Sequence, residues 1–557
     1  MPQYTLTVLD VTGIQDYIFG SNRVPENVGA SQLVHQATGA WVRESMNEAE
    51  VRHNLMPDDT IDASRSLETD ETLDAEVILR GGGNVLILFR TPKCAEVPEC
   101  TKVPKLAKAT VSKLTRKLLT AAPGLEIAVA HHTFDWITPI GGPKEHGAHR
   151  ELYQKLNQTK QQRRSSTPLL GLGVTVECRA TGMPAVAYEG DRPVSAEVKA
   201  KLGQQGAAES RLKTMVAGVA DGYTFRRDFG ALGGTEGEMS YIAVVHADGN
   251  GMGKRFEDVL TRFPNATDNR ACLNALRDLS EAVDRAGQTA LCETVRRMTV
   301  AFQSEKPSAA LQRFLAGLSE HAGKPVIPFR PILYGGDDVT FVCDGRLGLA
   351  LAAIYLEEWE RATQAATTIG QAYACAGVAM VKSHYPFVRA YHLASDLCAG
   401  AKQAIRVVRS ANPTTDDASA LDWHFAMSGI TGKIGEIRKR EYSVKKREDL
   451  TLRPLMLSAP IFNPAWRTWD TFDRVTREFQ AGECWRKRRN KVKALREVLR
   501  QGSDAVSQFR HAFTLPTLPP IDSSQLALQE GGWAGELCGY FDMIEALDFY
   551  LPLTEVR

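Results

Sequence analysis

The apolar positions of the chain open with Tyr4, Leu6 and Val8, break at the polar Asp10, and resume as Ile14, Tyr17 and Ile18. A period of two giving way to helical spacing predicts strand, loop and helix. A second signal lies at 76–89, where Val77-Ile78-Leu79 and Val85-Leu86-Ile87-Leu88-Phe89 flank Arg80-Gly81-Gly82-Gly83-Asn84. Two apolar runs about a glycine-rich break predict a β-hairpin. A further strand is predicted at 125–130, after a long amphipathic stretch.

The same order of elements returns later. Tyr241-Ile242-Ala243-Val244-Val245 leads to Asp248-Gly249-Asn250-Gly251-Met252-Gly253, and helical patterning fills 271–321. Ile332-Leu333-Tyr334 and Val339-Thr340-Phe341-Val342 then flank Gly335-Gly336-Asp337-Asp338, before a helix at 347–364 and a small-residue strand at 373–381. Laid over each other, the two series set Asp10 against Asp248, Gly81-Gly82-Gly83-Asn84 against Gly335-Gly336-Asp337-Asp338, and 125–130 against 373–381. The expected fold class is α+β, with a duplicated, ferredoxin-like β-α-β-β-α-β unit. The division is 1–140 for the first unit, 141–235 for a connecting region, 236–425 for the second unit and 426–557 for a C-terminal helical domain. Within the connecting region, 154–164 is polar and basic and 193–213 reads as a solvated helix. The C-terminal domain carries Arg438-Lys439-Arg440, Lys445-Lys446-Arg447 and Trp485-Arg486-Lys487-Arg488-Arg489.

Composition adds little beyond a multidomain soluble chain. Of 557 residues 43% are hydrophobic, and 67 Lys plus Arg against 66 Asp plus Glu leave a nucleic-acid partner to be argued from local patches. Ten scattered cysteines, without a C-x-x-C pair or a signal peptide, read as a reduced cytoplasmic protein. No apolar run approaches the roughly 18 residues of a membrane span.

The chemistry gathers in the second copy. Divalent cations that hold a triphosphate need converging hard oxygen ligands. Asp248 at a strand end, with Asp337 and Asp338 on the adjoining hairpin, would supply them for two Mg²⁺ or Mn²⁺ ions, while Gly335 and Gly336 allow the tight turn and leave room for phosphate. Strand alternation puts Val244, His246 and Asp248 on one face and Ala243, Val245 and Ala247 on the other. His246 reads as a satisfied buried side chain rather than a catalytic one. Gly249, Asn250, Gly251 and Gly253 open a helix whose amides would face a polyphosphate. Lys382 and Lys402 could each balance triphosphate charge, although a lysine at either place is also an ordinary solvated residue.

Asp-Gly-Asn-Gly-Met-Gly followed by a Gly-Gly-Asp-Asp hairpin resembles the palm domain of the large subunit of type III CRISPR effector complexes, the cyclic oligoadenylate synthase. GGDEF-type nucleotide cyclases are its wider relatives. Gly13-Ile14-Gln15-Asp16-Tyr17-Ile18 and Gly29-Ala30-Ser31 resemble that subunit's first, inactive palm, and Ser383-His384-Tyr385-Pro386 also fits. The resemblance implies two palm domains, metal bound by Asp248, Asp337 and Asp338, and ATP joined 3′ to 5′ with release of pyrophosphate to give a cyclic oligoadenylate for antiviral defence. In the first copy Gly83-Asn84 stand where Asp337-Asp338 stand in the second, so little or no metal is expected there. The chain starts directly in the first palm without a His-Asp dipeptide, so a preceding nuclease domain and DNA cleavage are not expected. Cys178 is the lone cysteine of a shortened zinc-finger-like segment, and zinc is not expected. Two other readings stand beside the enzyme. One is an RNA-binding scaffold subunit that uses Arg486–Arg489, Lys491, Lys493, Arg496 and Arg500 to hold guide or target RNA among other effector-complex subunits. The other is a cyclase that uses GTP.

Overall fold

The computed structural model describes residues 3–91, 104–143, 147–163, 173–225, 228, 232, 240–321, 323–412, 414–426, 432–444, 448–457, 461–522 and 525–553. Lys445-Lys446-Arg447 therefore lie outside the described residues. No described helix is long and apolar enough to cross a membrane.

Two antiparallel sheets repeat one plan. The first has the order β2-β3-β1-β4, from β1 (Gln3–Thr12), β2 (Ala75–Gly81), β3 (Asn84–Thr91) and β4 (Glu126–Asp135). The second repeats that order as β6-β7-β5-β8, from β5 (Tyr241–Gly249), β6 (Phe329–Gly335), β7 (Asp338–Asp344) and β8 (Ala374–Lys382). The registers agree residue for residue. Asp10 pairs with Asn84 as Asp248 pairs with Asp338, and Gly81 pairs with Asn84 as Gly335 pairs with Asp338. A bulge interrupts both hairpins at the same place, between Val77 and Leu79 and between Pro331 and Leu333. Such coincidence of register and bulge is the mark of duplication, because a one-residue slip would turn every side chain to the wrong face.

The second sheet continues past the duplicated plan. β9 (Ala420–Ala426) adds in parallel to β8, and the short β10 (Leu455–Met456) from the C-terminal region adds to β9. The C-terminal region is not purely helical, since a sheet of four two-residue strands lies among its helices.

Five helices matter for the site: α1 (Val24–Ala37), α2 (Ala148–Gln162), α3 (Met252–Arg262), α4 (Asn269–Phe302) and α5 (Phe387–Ala411). The two copies exchange helices: α4 of the second packs on β2 of the first, and α1 of the first packs on β6 of the second. Helix α2 corrects the view of 154–164 as mere connection. Ala148, Leu152 and Leu156, four residues apart, are buried on β4, and the polar residues between them form the outer face. The helix at 193–213 is two helices, Ala196–Gly203 and Gln205–Met215, and it too is built in. Lys201 is buried with its ammonium on the Tyr17 carbonyl at 2.7 Å, and Arg211 Nε donates to Tyr334 Oη of the second copy at 2.9 Å.

Candidate active site

The site forms where β5 ends. Alternation along β5 sends Ala243, Val245 and Ala247 into one core and Ile242 and Val244 into another, and leaves Asp248 at the strand's mouth beside β7. Gly249 N–H donates to Asp337 O at 3.0 Å, closing the hairpin turn against the strand end. A Cβ at Gly249 would stand 2.9 Å from the Asp337 Cβ, so only glycine lets that carboxylate approach. Gly335 and Gly336 take φ of +130° and +70°, which the turn demands. Gly251, at φ +65°, opens α3 as Gly13 opens the matching helix Ile14–Phe19 at φ +64°.

The acids repel one another. Burial, then the neighbouring Asp248 carboxylate, push Asp337 up to about 6 and Asp338 up to about 8. Asp338 Oδ1 is buried and accepts no hydrogen bond among the described residues. Lys402, from α5, donates to Asp248 Oδ2 at 2.5 Å and to Gly249 O at 2.8 Å. His246 is 4% exposed, and burial lowers its pKa to about 4, so the ring is neutral. Its Nδ1 lies 3.1 Å from Thr340 Oγ1 and 3.3 Å from Asp338 Oδ1, and its ring meets Tyr391 edge-on. The ring is thus a buried, partnered residue that also borders a carboxylate.

Among the described residues no three His, Cys, Asp or Glu side chains are gathered as a ready-made metal shell. The donor chemistry nevertheless fits a hard divalent cation: three carboxylates converge from the strand end and the turn, one buried Asp338 oxygen accepts no hydrogen bond among the described residues, and burial together with the neighbouring Asp248 carboxylate disfavours ionisation of the other two.

The sequence-predicted residues fall into three groups. Asp248, Asp337, Asp338, Gly249, Gly251, Gly253, Gly335, Gly336 and Lys402 come together around the turn and the α3 N-terminus. Asn250 is near them but is used structurally, since its Nδ2 donates to Asp417 Oδ1 at 3.2 Å and to Ala418 O at 3.0 Å. Lys382 is a correction. β8 runs antiparallel to β5, with Cys375 opposite Asp248 and Lys382 opposite Tyr241. Seven residues at strand rise put Lys382 roughly 23 Å from the acids, so it is not in this cluster.

A cavity of about 570 Å³ opens beside the turn, lined by Gly81, Gly82 and Asn84 of the first copy and by Gly253, Gly336 and Asp337 of the second. The first copy's turn is the neutral counterpart. Asp10 is held by Lys160 Nζ of α2 at 2.5 Å, matching Lys402 on Asp248, and Asn84 replaces the acid facing it. Lys160 was hidden in the sequence because it stands in the stretch read as a connector; the i, i+4, i+8 spacing of Ala148, Leu152 and Leu156 was the signal for its helix.

The fold and the acidic hairpin define a palm-type unit, and residues 241–406 match the family model described as "Cas10/Cmr2, second palm domain". The resemblance drawn from the Gly-Gly-Asp-Asp hairpin thus holds for that segment. No curated protein matches the chain in sequence. Among solved structures, the crystal structure of a Csm1-Csm4 cassette in complex with cA4 aligns at 14% identity over 98% of this chain and 69% of that one, with a TM-score of 0.49. The same cassette in complex with one ATP gives 13% identity, 99% and 70% coverage and a TM-score of 0.49. Csm1 in T.onnurineus gives 14%, 97%, 68% and 0.45.

Proposed function

We propose that the protein is a palm nucleotidyltransferase that joins ATP 3′ to 5′ and closes the product into a cyclic oligoadenylate. The observation that carries this reading is the β5–β7 register: it sets Asp248 opposite Asp338, with Asp337 on the turn that borders the cavity shared by both copies. The family match over 241–406 supports it. In each transfer a 3′-hydroxyl oxygen bonds to the α-phosphorus of a second nucleotide, the bond from that phosphorus to pyrophosphate breaks, and the hydroxyl proton passes to solvent. Asp248, Asp337 and Asp338 would hold two Mg²⁺ or Mn²⁺ ions, which supply charge neutralisation for the triphosphate and the developing negative charge. Gly253 and the amides at the start of α3 would meet phosphate oxygens at the helix's positive end. Lys402 holds Asp248 in place and lowers the charge of the cluster. The first copy's neutral turn, which lines the same cavity, suits the placement of the acceptor nucleotide. Assembly with effector-complex subunits and guide or target RNA is the setting this reading proposes.

The test is incubation of the purified protein with each labelled nucleoside triphosphate and Mg²⁺ or Mn²⁺, with and without RNA, and product masses read out. The expected result is consumption of ATP with pyrophosphate release and a cyclic product. Consumption of GTP alone would overturn the base assignment, and no product under any condition would favour the scaffold reading.

A further inference from the structure

Helix α4 runs past the hairpins of both copies. Arg270, Arg277 and Asp284 recur on it every seven residues, close to two full turns, and so form one stripe about 21 Å long. At its start Arg270 and Arg277 donate to Glu76 of β2 at 2.7 and 2.6 Å, and Arg277 Nε donates to Ile78 O at 3.2 Å. At the far end of the stripe Asp284 Oδ1 accepts the Gly336 N–H at 3.0 Å, while its Oδ2 accepts from Gln288 Nε2 at 2.8 Å. Almost one turn on, the backbone of the acidic turn rests on Gly287: a Cβ there would lie 2.1 Å from Gly336 O.

A Gly-Gly pair gives the turn its shape but no stiffness, because glycine has the widest choice of backbone conformations. The position of the two acids that follow must then be fixed from outside. The strand ladder holds Asp338 opposite Asp248, β5 adds the Gly249–Asp337 hydrogen bond, and α4 holds the Gly336 side of the turn through Asp284 and Gly287. We propose that Asp284 and Gly287 are positioning residues for Asp337 and Asp338, and that α4 is the element through which the first copy sets where the acidic turn stands. The consequence for turnover rests on the nucleotidyltransferase reading; the positioning itself does not.

The experiment compares Asp284→Ala, Asp284→Asn and Gly287→Ala with the unmodified full chain. Hydrogen exchange is measured on a peptide spanning Gly335 to Asp338, with a peptide over Arg270 and Arg277 as control of the fold. Asp284→Ala is expected to speed exchange at the turn by about tenfold, with the control peptide unchanged, and Asp284→Asn, which keeps an acceptor oxygen, is expected to restore most of the protection. With ATP and Mn²⁺, Asp284→Ala and Gly287→Ala are expected to lower kcat by about 10- to 100-fold while KM moves little, and Asp284→Asn to recover most of the loss. Exchange at the turn that stays as in the unmodified protein in Asp284→Ala would overturn the proposal, as would an Asp284→Asn variant as impaired as Asp284→Ala. If the unmodified protein makes no product and binds no Mn²⁺, the nucleotidyltransferase reading falls, and the exchange comparison still decides the positioning role.

Discussion

Asp338 and Asp337 hold the charge that the site must manage. Their folded pKa values, about 8 and about 6, lie above the usual carboxylate range because burial and Asp248 oppose ionisation. Between that range and pH 8 the folded protein binds more protons than the unfolded chain, so this pair makes stability fall as pH rises. A divalent cation held by these carboxylates would replace those protons. Mg²⁺ or Mn²⁺ is therefore expected to raise the melting temperature more at pH 8.5 than at pH 6, and Asp338→Asn should weaken that pH dependence; an equal rise at both pH values would contradict it. Lys402 lowers the pKa of both acids. Lys402→Met should move the acid limb of the pH–rate profile upward and cost about 10- to 100-fold in metal affinity or turnover, as loss of a ligand's supporting partner does. The acids were legible because strand ends and glycine turns are local patterns. Lys402 was legible only as a positive charge: its contact with Asp248 spans 154 positions, and its choice of carboxylate over phosphate depends on how α5 crosses the sheet. Lys382 was misplaced for a related reason, since the position after a strand says nothing of which end of the neighbouring strand it meets.

Among the elements, β2 and α4 are joined by an ion cluster whose Glu76–Arg277 centre is closed to water and whose Arg270 rim is partly exposed. Glu76 is fully buried and Arg277 is 2% exposed. Burial alone would raise the Glu76 carboxyl, but hydrogen bonds from Arg270 and Arg277 hold it below its usual value. Glu76→Ala leaves the buried Arg277 guanidinium without its carboxylate, while Arg270 keeps Glu68, and a loss of about 3–5 kcal/mol in urea unfolding is expected; a loss under about 1 kcal/mol would show that the cluster is not what joins the copies. Gly29 illustrates a motif that resemblance could name but not explain. α1 crosses the helix Ala196–Gly203 so closely that a Cβ at Gly29 would lie 1.8 Å from Lys201 O. Gly29→Ala should therefore lower the melting temperature, because backbone rather than a flexible side chain stands in the way. Neither the cluster nor this crossing has a local sequence signature, since each joins segments over 100 positions apart.

At the scale of the molecule, the duplication was legible because strand alternation, glycine turns and their order repeat, and the registers of the two sheets agree with it down to the bulge. The exchange of helices between copies and the cavity between the two turns were not, since they depend on how whole units pack. Within the C-terminal basic cluster Arg489 and Lys493 share Asp548, while Arg488 donates to Thr514 O and Arg500 to Glu441 O, contacts that hold these side chains without neutralising them. What remains distinctive is asymmetry, with one turn acidic and the other neutral and both lining one cavity. The measurement that tests this most directly is product formation from α-labelled ATP by the unmodified protein, by Asp337→Asn plus Asp338→Asn, and by Asp10→Asn. The account predicts product from the unmodified chain and from Asp10→Asn, and none from the double variant. Equal product from the double variant, or loss confined to Asp10→Asn, would contradict it.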